Sequence, residues 1–333
     1  MKSVLISNNK SGLLTVYTDE ILGRLEKSAG LLCNVYSYED VIGCKEDLLE
    51  VEYIFSSWGM PTFSEDEIRE IFPRLRCVFY AAGSVQSFAR AFLSCGVRVF
   101  SAWAANAVPV AEYTHAQIIL ANKGFFSYSN VTDSKDRAEI REIKKQFSGN
   151  YGERVGIIGA GMIGSLVAEK LRENKLSVMC FDPFLTDERA NELGVVKCSL
   201  QTLFSECRVI SNHLANNTAT KKMLNYSLFS LMRPHSVFIN TGRGAQVVEQ
   251  DLVRILEERW DIVALLDVTD PEPSPESHPF HSLKNCILTP HIAGSIGDET
   301  HRMAEYMEKE FLRLIEGRDT MYEVDMKMLE TMA

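Results

Sequence analysis

The stretch RVGIIGAGMIGSLVAEKLRENKLSVMCFD (154–182) decides how this chain is read. An apolar, β-type run at 155–158 enters GAGMIG (159–164). A helix-like segment follows, and a second apolar run ends on Asp182. Each part has a physical task. Gly159 permits a tight turn off a strand, Gly161 lets a pyrophosphate approach the backbone, and Gly164 lets a helix pack closely on a sheet. A helix N-terminus at Met162 and Ile163 offers N–H groups and a positive dipole end to phosphates. Asp182 lies eighteen residues past the last of these glycines. That spacing suits an acceptor for the hydroxyls of an adenosine ribose. Strand, glycine turn, helix, strand and acid together predict a dinucleotide site; a ligand-free strand–helix turn is the alternative.

The acid also bears on which dinucleotide is bound. A carboxylate repels a 2′-phosphate, which usually needs a cation beside it. Asp182 is followed by Pro183, Phe184, Leu185 and Thr186, with neither Arg nor Lys. NAD is therefore expected, with NADH preferred over NADPH.

With 333 residues the chain can form two domains with substantial cores. The formal charge of −10 argues against a general nucleic-acid or anionic-membrane binder, because such polyanions would be repelled. The eight cysteines show neither a CxxC pair nor zinc-type spacing, so no metal is expected. Several lie in apolar runs and read as small buried hydrophobes, which fits a reduced, cytoplasmic compartment. The apolar part of MKSVLISNNK is too short for a signal peptide, and no uninterrupted span is long enough to cross a bilayer.

Outward from the glycine motif, strand-like and helix-like pieces alternate along most of the chain. Strands are expected at 4–7, 51–56, 76–80 and 97–100, and an amphipathic helix at 18–28. Ser64 with Glu67 predicts a capping box opening a helix that runs to about residue 71. A long helix is expected to begin near Pro109, a residue suited to the first turn. Residues 128–150 are polar and charged and read as a solvated connection or a subunit-contact segment. Later strands are expected at 178–181, 209–212, 237–240, 262–266 and 286–289, before a strongly amphipathic helix from 298 to about 316. This βαβ alternation predicts parallel sheets with helices on both faces. A doubly wound sheet needs only about 104–294, and the closing helix is expected to return to the first domain.

Three segments place a reactive side chain just past a predicted strand, where ligands of open α/β sheets bind. In VFINTGRG (237–244), Arg243 can present its planar fork to a carboxylate; a surface arginine on a turn is the plainer reading. In ALLDVTDPEP (264–273), Asp267 ends an apolar strand, although three acids in six residues also suit a solvated loop. In LTPHIAGS (288–295), His291 follows a strand and a proline, so its ring can face a crevice or serve structure alone.

Taken in order with the glycine motif, these segments resemble the NAD-dependent D-isomer-specific 2-hydroxyacid dehydrogenase family over nearly the whole chain. The anchors are GAGMIG (159–164), Asp182, INTGRG (239–244), LDVTDPEP (266–273), TPHIAGS (289–295) and NAVPVAEYT (106–114). The resemblance implies two doubly wound parallel-sheet domains. A Rossmann cofactor domain at 104–294 would be inserted in a flavodoxin-like substrate domain made of 1–103 and 295–333. It further implies hydride transfer between NAD(H) and a small 2-oxo or D-2-hydroxy acid. Arg243 would hold the substrate carboxylate, His291 would donate or accept the proton, and Glu272 would pair with His291. A carboxylate beside an imidazole stabilises the imidazolium form. Asp267 would receive the nicotinamide carboxamide. Leu214, Ala215, Thr220, Thr241, Gly242 and Gly294 would line the cofactor, and Ala82, Gly83 and Ser84 would complete the carboxylate cradle. Relatives usually form homodimers through the cofactor domain, and that is the expectation here. Relatives of the fold also include dinucleotide-binding corepressors, so an NAD-sensing interaction protein is the alternative.

The chain departs from the family pattern in places. A common His-x-Pro-x-Thr segment reads His213-Leu214-Ala215-Asn216-Asn217, which should loosen or reshape the cofactor wall. AAGSVQSF (81–88) lacks an aspartate often found there, which puts the geometry of the carboxylate loop in question. With no regulatory domain after residue 333, a long-form phosphoglycerate dehydrogenase is not expected, and Glu272 stands where formate dehydrogenases carry glutamine. Trp58, with Met60 in SSWGMP (56–61), is a candidate wall for an apolar or aromatic substrate side chain; packing in the core or between domains is an equally plain role for Trp58.

Overall fold

A computed structural model describes residues 1–128 and 137–330, apart from the side chains of Arg137 and Glu139. Residues 129–136 of the expected connecting segment therefore lie outside the described residues. The chain divides into two compact units, residues 1–106 with 295–333, and residues 107–294. In chain order the strands are β1 (Ser3–Ile6), β2 (Leu31–Tyr36), β3 (Tyr53–Ser56), β4 (Cys77–Tyr80), β5 (Arg98–Ser101), β6 (Tyr151–Ile158) and β7 (Lys175–Phe181). They continue as β8 (Val196–Lys197), β9 (Val209–Asn212), β10 (Val237–Asn240), β11 (Val263–Leu266), β12 (Cys286–Leu288) and β13 (Glu323–Val324).

The first unit is one sheet of order β13-β5-β4-β3-β1-β2, parallel except where β13 runs against β5. Side chains alternate across a strand, so each strand feeds two cores. Ile54, Val78 and Val99 enter one cluster, while Phe55, Phe79 and Phe100 enter the other. These three rings stack across adjacent strands, with centroids 5.1 and 4.9 Å apart. Phe311 meets the first two edge-on from the helix His301–Ile315, which buries Met303, Ala304 and Met307 on the same face. The closing amphipathic helix thus returns to the first unit. The Ser64–Glu67 capping box forms as expected and opens the helix Glu65–Ile71.

The second unit is a seven-stranded sheet of order β12-β11-β10-β9-β6-β7-β8, with every pair parallel. Val155, Ile157, Val209 and Ile239 pack on one face; Ile158, Ile210, Phe238 and Leu266 pack on the other. Strand order reverses at β6: β7 and β8 lie to one side, and β9 to β12 to the other. Loops at the carboxyl ends of such strands meet at a crevice.

Two expectations need correction. The long helix runs Trp103–Ala121 and holds Pro109 within it. The alanine-rich turn before the proline favours helix strongly enough to start it six residues earlier. Edge strand β2 was not among the expected strands although LLCNVY is largely apolar; Leu31 and Val35 join one core and Tyr36 packs on the other, while Leu32, Cys33 and Asn34 are exposed.

Candidate functional site

The glycine turn has the geometry its residues predict. Gly159 adopts φ +92°, and a Cβ there would lie 2.7 Å from the carbonyl oxygen of His213 on the neighbouring β9 loop. A Cβ on Gly164 would overlap the carbonyl of Gly159, so only glycine lets the helix sit this close. Above Gly161 the space is open, with nothing within 4 Å of where a Cβ would stand. The helix Met162–Leu171 begins there without a side-chain cap, leaving its N-terminal dipole end for an anion.

Asp182 follows β7. Its carboxylate accepts from Ala160 N at 2.7 Å and from Phe184 N at 2.8 Å, which ties the β7 end to the glycine loop. Among the described residues, no cation lies within 4.0 Å of it. A pyrophosphate over Gly161 and a ribose at Asp182 fit this arrangement.

The loop after β9 carries Leu214, Ala215 and Thr220. In place of the missing proline and threonine, Asn217 Oδ1 accepts from Ala219 N at 3.0 Å and from Thr220 N at 3.1 Å. Thr220 Oγ1 accepts from Asn217 N at 3.1 Å and donates to Ala215 O at 2.6 Å. The asparagine side chain caps this turn and ties the loop together.

Arg243 follows β10. Its Nη1 donates to Gly242 O at 2.7 Å, and no carboxylate lies within 4.0 Å of the guanidinium among the described residues. Burial pushes its pKa down, with the nearby charge of Glu272 opposing that shift. A half-buried cation without an ion pair calls for an anion from outside. Thr241 is buried with its hydroxyl 3.3 Å from that of Thr114. Gly242 abuts the side chains of Gln246 and Asn212, and a Cβ on Gly244 would overlap the Thr269 carbonyl. The Arg243 and Glu272 loops are thus in backbone contact.

His291 and Glu272 are hydrogen-bonded, Nδ1 to Oε1, and both side chains are solvent-accessible. His291 holds φ +53°, a left-handed conformation that an L-residue adopts at some cost. Its loop is clamped by Asp267, which is 3% exposed. Oδ1 accepts from Thr289 Oγ1 at 2.6 Å and Ile292 N at 2.8 Å, and Oδ2 accepts from Ala293 N at 2.9 Å. Among the described residues, Oδ2 takes no second donor. On the other side, buried Glu249 accepts from Asp270 N at 2.9 Å and faces His278 Nε2 at 3.2 Å. Burial raises the Glu249 pKa. Gly294 closes the histidine loop and ends this unit.

Ala82, Gly83, Ser84 and Trp58 belong to the first unit. Ser101 Oγ donates to the carbonyls of Ala82 and Gly83 at 2.9 and 2.6 Å, which sets the turn while Ser84 stays exposed. Trp58 is 40% exposed, which is not the burial of a core residue. Sequence reasoning missed Asn212, Gln246, Thr289 and Glu249, whose roles appear only as contacts between segments distant in sequence. Asn212 and Asn240 did carry one signal, since each places an amide at the last position of an apolar strand.

A reversal of strand order topped by a glycine turn is the arrangement of a dinucleotide-binding α/β protein, and here neighbouring strand ends carry a histidine–carboxylate pair and an arginine that has no ion pair among the described residues. More specifically, residues 116–293 match the NAD-binding domain of the D-isomer-specific 2-hydroxyacid dehydrogenases, and the chain belongs to that family. A glyoxylate reductase of Aeropyrum pernix is 34% identical over 167 residues, 50% of each chain. A D-3-phosphoglycerate dehydrogenase of Synechocystis sp. is 31% identical over 203 residues, covering 60% of this chain and 35% of that protein. The matched stretches thus span half or less of these relatives. A phosphoglycerate oxidoreductase structure from Rhizobium etli shares the fold, with a TM-score of 0.78, 21% identity and 98% of each chain covered.

Proposed function

We propose that the chain is a 2-oxoacid reductase, or D-2-hydroxyacid dehydrogenase in the reverse direction, that prefers NADH to NADPH. The observation that carries this reading is the half-buried Arg243 guanidinium, without a carboxylate partner among the described residues, beside a bonded His291–Glu272 pair. Bound cofactor supplies the hydride. Arg243 binds the substrate carboxylate through its free donors and offsets negative charge growing on the carbonyl oxygen. His291 delivers the proton to that oxygen from Nε2, because Nδ1 is engaged with Glu272. Glu272 orients the ring through its bond to Nδ1. The preference for NADH rests on the carboxylate of Asp182, which has no cation within 4.0 Å among the described residues to receive a 2′-phosphate. In this reading the protein forms a homodimer through the 107–294 unit, and sedimentation velocity checks the dimer.

The test is NADH oxidation over glyoxylate, hydroxypyruvate, pyruvate and phenylpyruvate, repeated with NADPH. Turnover of at least one acid, with NADH used faster, is expected. His291→Ala should lower kcat by about a hundredfold or more while NADH affinity holds. NADH binding without turnover of any acid would overturn the reading in favour of a dinucleotide sensor.

A further inference from the structure

Three side-chain amides are sealed beneath the loops that flank the strand-order reversal. Asn212 ends β9, Asn240 ends β10, and Gln246 closes the short helix Gly244–Gln246; their exposures are 0, 1 and 0%. Asn212 and Asn240 are register partners on adjacent parallel strands, so their side chains emerge side by side. Asn212 Nδ2 donates to Asn240 Oδ1 at 3.0 Å and to Gln246 Oε1 at 2.6 Å.

Backbone partners fix which way each amide faces. Asn240 Oδ1 also accepts from Gly242 N at 3.1 Å, Gln246 Oε1 from Arg243 N at 3.2 Å, and Asn212 Oδ1 from Leu214 N at 3.3 Å. The remaining donors reach main-chain carbonyls: Asn240 Nδ2 to Arg243 at 3.2 Å, and Gln246 Nε2 to Leu214 at 2.7 Å. Reversing any one amide would set like groups against each other, so the cluster has one self-consistent arrangement.

Burying three amides is costly unless they are fully bonded, and apolar residues could fill a strand end more simply. What the cluster does instead is grip both main-chain polar groups of Arg243 and both of Leu214. We propose that Asn212, with Asn240 and Gln246, is a positioning device that locks the arginine loop to the cofactor wall. Substrate carboxylate and dinucleotide then meet in one register. This inference rests on the functional reading above. It names no group that touches the reacting atoms; the amides act through Arg243 and Leu214.

The test uses Asn212→Leu, close in shape but without donors, with Gln246→Met as a second route to the same loss. NADH affinity is read by its fluorescence. Oxamate, a pyruvate-shaped carboxylate, is titrated into the NADH complex. In folded variants, oxamate Kd and the KM for the 2-oxo acid should rise about tenfold to a hundredfold, because a small displacement of the arginine is enough. NADH Kd should rise to a lesser degree. A loss of packing alone would lower Tm but leave these affinities unchanged, and that result overturns the proposal. If wild-type protein binds NADH but not oxamate, the functional reading fails instead. The cluster is then judged on NADH affinity alone, where no change in either variant rejects it.

Discussion

Replacing Asp267 with asparagine separates two roles for one carboxylate. Asp267 receives three donors from the histidine loop, at 2.6, 2.8 and 2.9 Å, in a buried site. An asparagine oxygen can keep Thr289 and Ile292, but its amide group then faces Ala293 N–H, donor to donor. One charge-assisted bond is lost, at about 1.5–3 kcal/mol, and a buried N–H is left unpaired, at about 1–3 kcal/mol. Because the lost bond and the unpaired N–H describe the same contact and overlap, a loss near the low end of their sum, about 3 kcal/mol, is expected. For a unit of this size that corresponds to roughly 6–12 °C in Tm, measured by calorimetry without cofactor. The loop that moves carries His291, so kcat should fall about tenfold or more. If Asp267 served only the nicotinamide carboxamide, Asp267→Asn would weaken NADH binding and leave the cofactor-free Tm unchanged. A cofactor-free melting point within about 2 °C of wild type, with unaltered kcat, refutes the clamp.

Two further outcomes follow from the same loops. Gly244→Ala forces a Cβ against the Thr269 carbonyl, a backbone atom that moves only with the Glu272 loop. It should cost about 1–3 kcal/mol in urea unfolding and lower kcat, whereas wild-type stability would mean the contact yields freely. His213 is held neutral by burial, its pKa lowered to about 3 from the usual 6.5. As pH falls, the unfolded chain takes up this proton first. The stability is therefore intact above about pH 6.5 and declines toward pH 3, by at most about 1.4 kcal/mol per pH unit from this group. His213→Gln should flatten that slope in urea midpoints measured from pH 7 to 4; an unchanged slope rejects the assignment.

Much of this protein could be read along the chain. The βαβ alternation, the glycine turn with Asp182, and the strand ends bearing Arg243 and His291 depend on local chemistry: permitted φ, apolar runs and chain direction. Strands β9 and β10 fall where their apolar runs predict. Edge strand β8 escaped, because a two-residue strand exposed on both faces needs no apolar pattern; β2 escaped although LLCNVY is largely apolar, since a short apolar run between two helices does not by itself mark a strand. The start of the Trp103 helix escaped because one proline weighs less than the helix-forming residues before it.

The sequence by itself determined the fold class, the dinucleotide loop and the kinds of side chain available for chemistry, since these follow from backbone preferences and periodicity. Only the tertiary structure decided how those side chains are held. Asp267 grips the histidine loop, Glu249 grips the Glu272 loop, and the amides of Asn212, Asn240 and Gln246 join Arg243 to Leu214. The reason is physical. A buried polar group must find its partner wherever the fold brings one within about 3 Å, and that partner carries no mark of its role in its own local sequence.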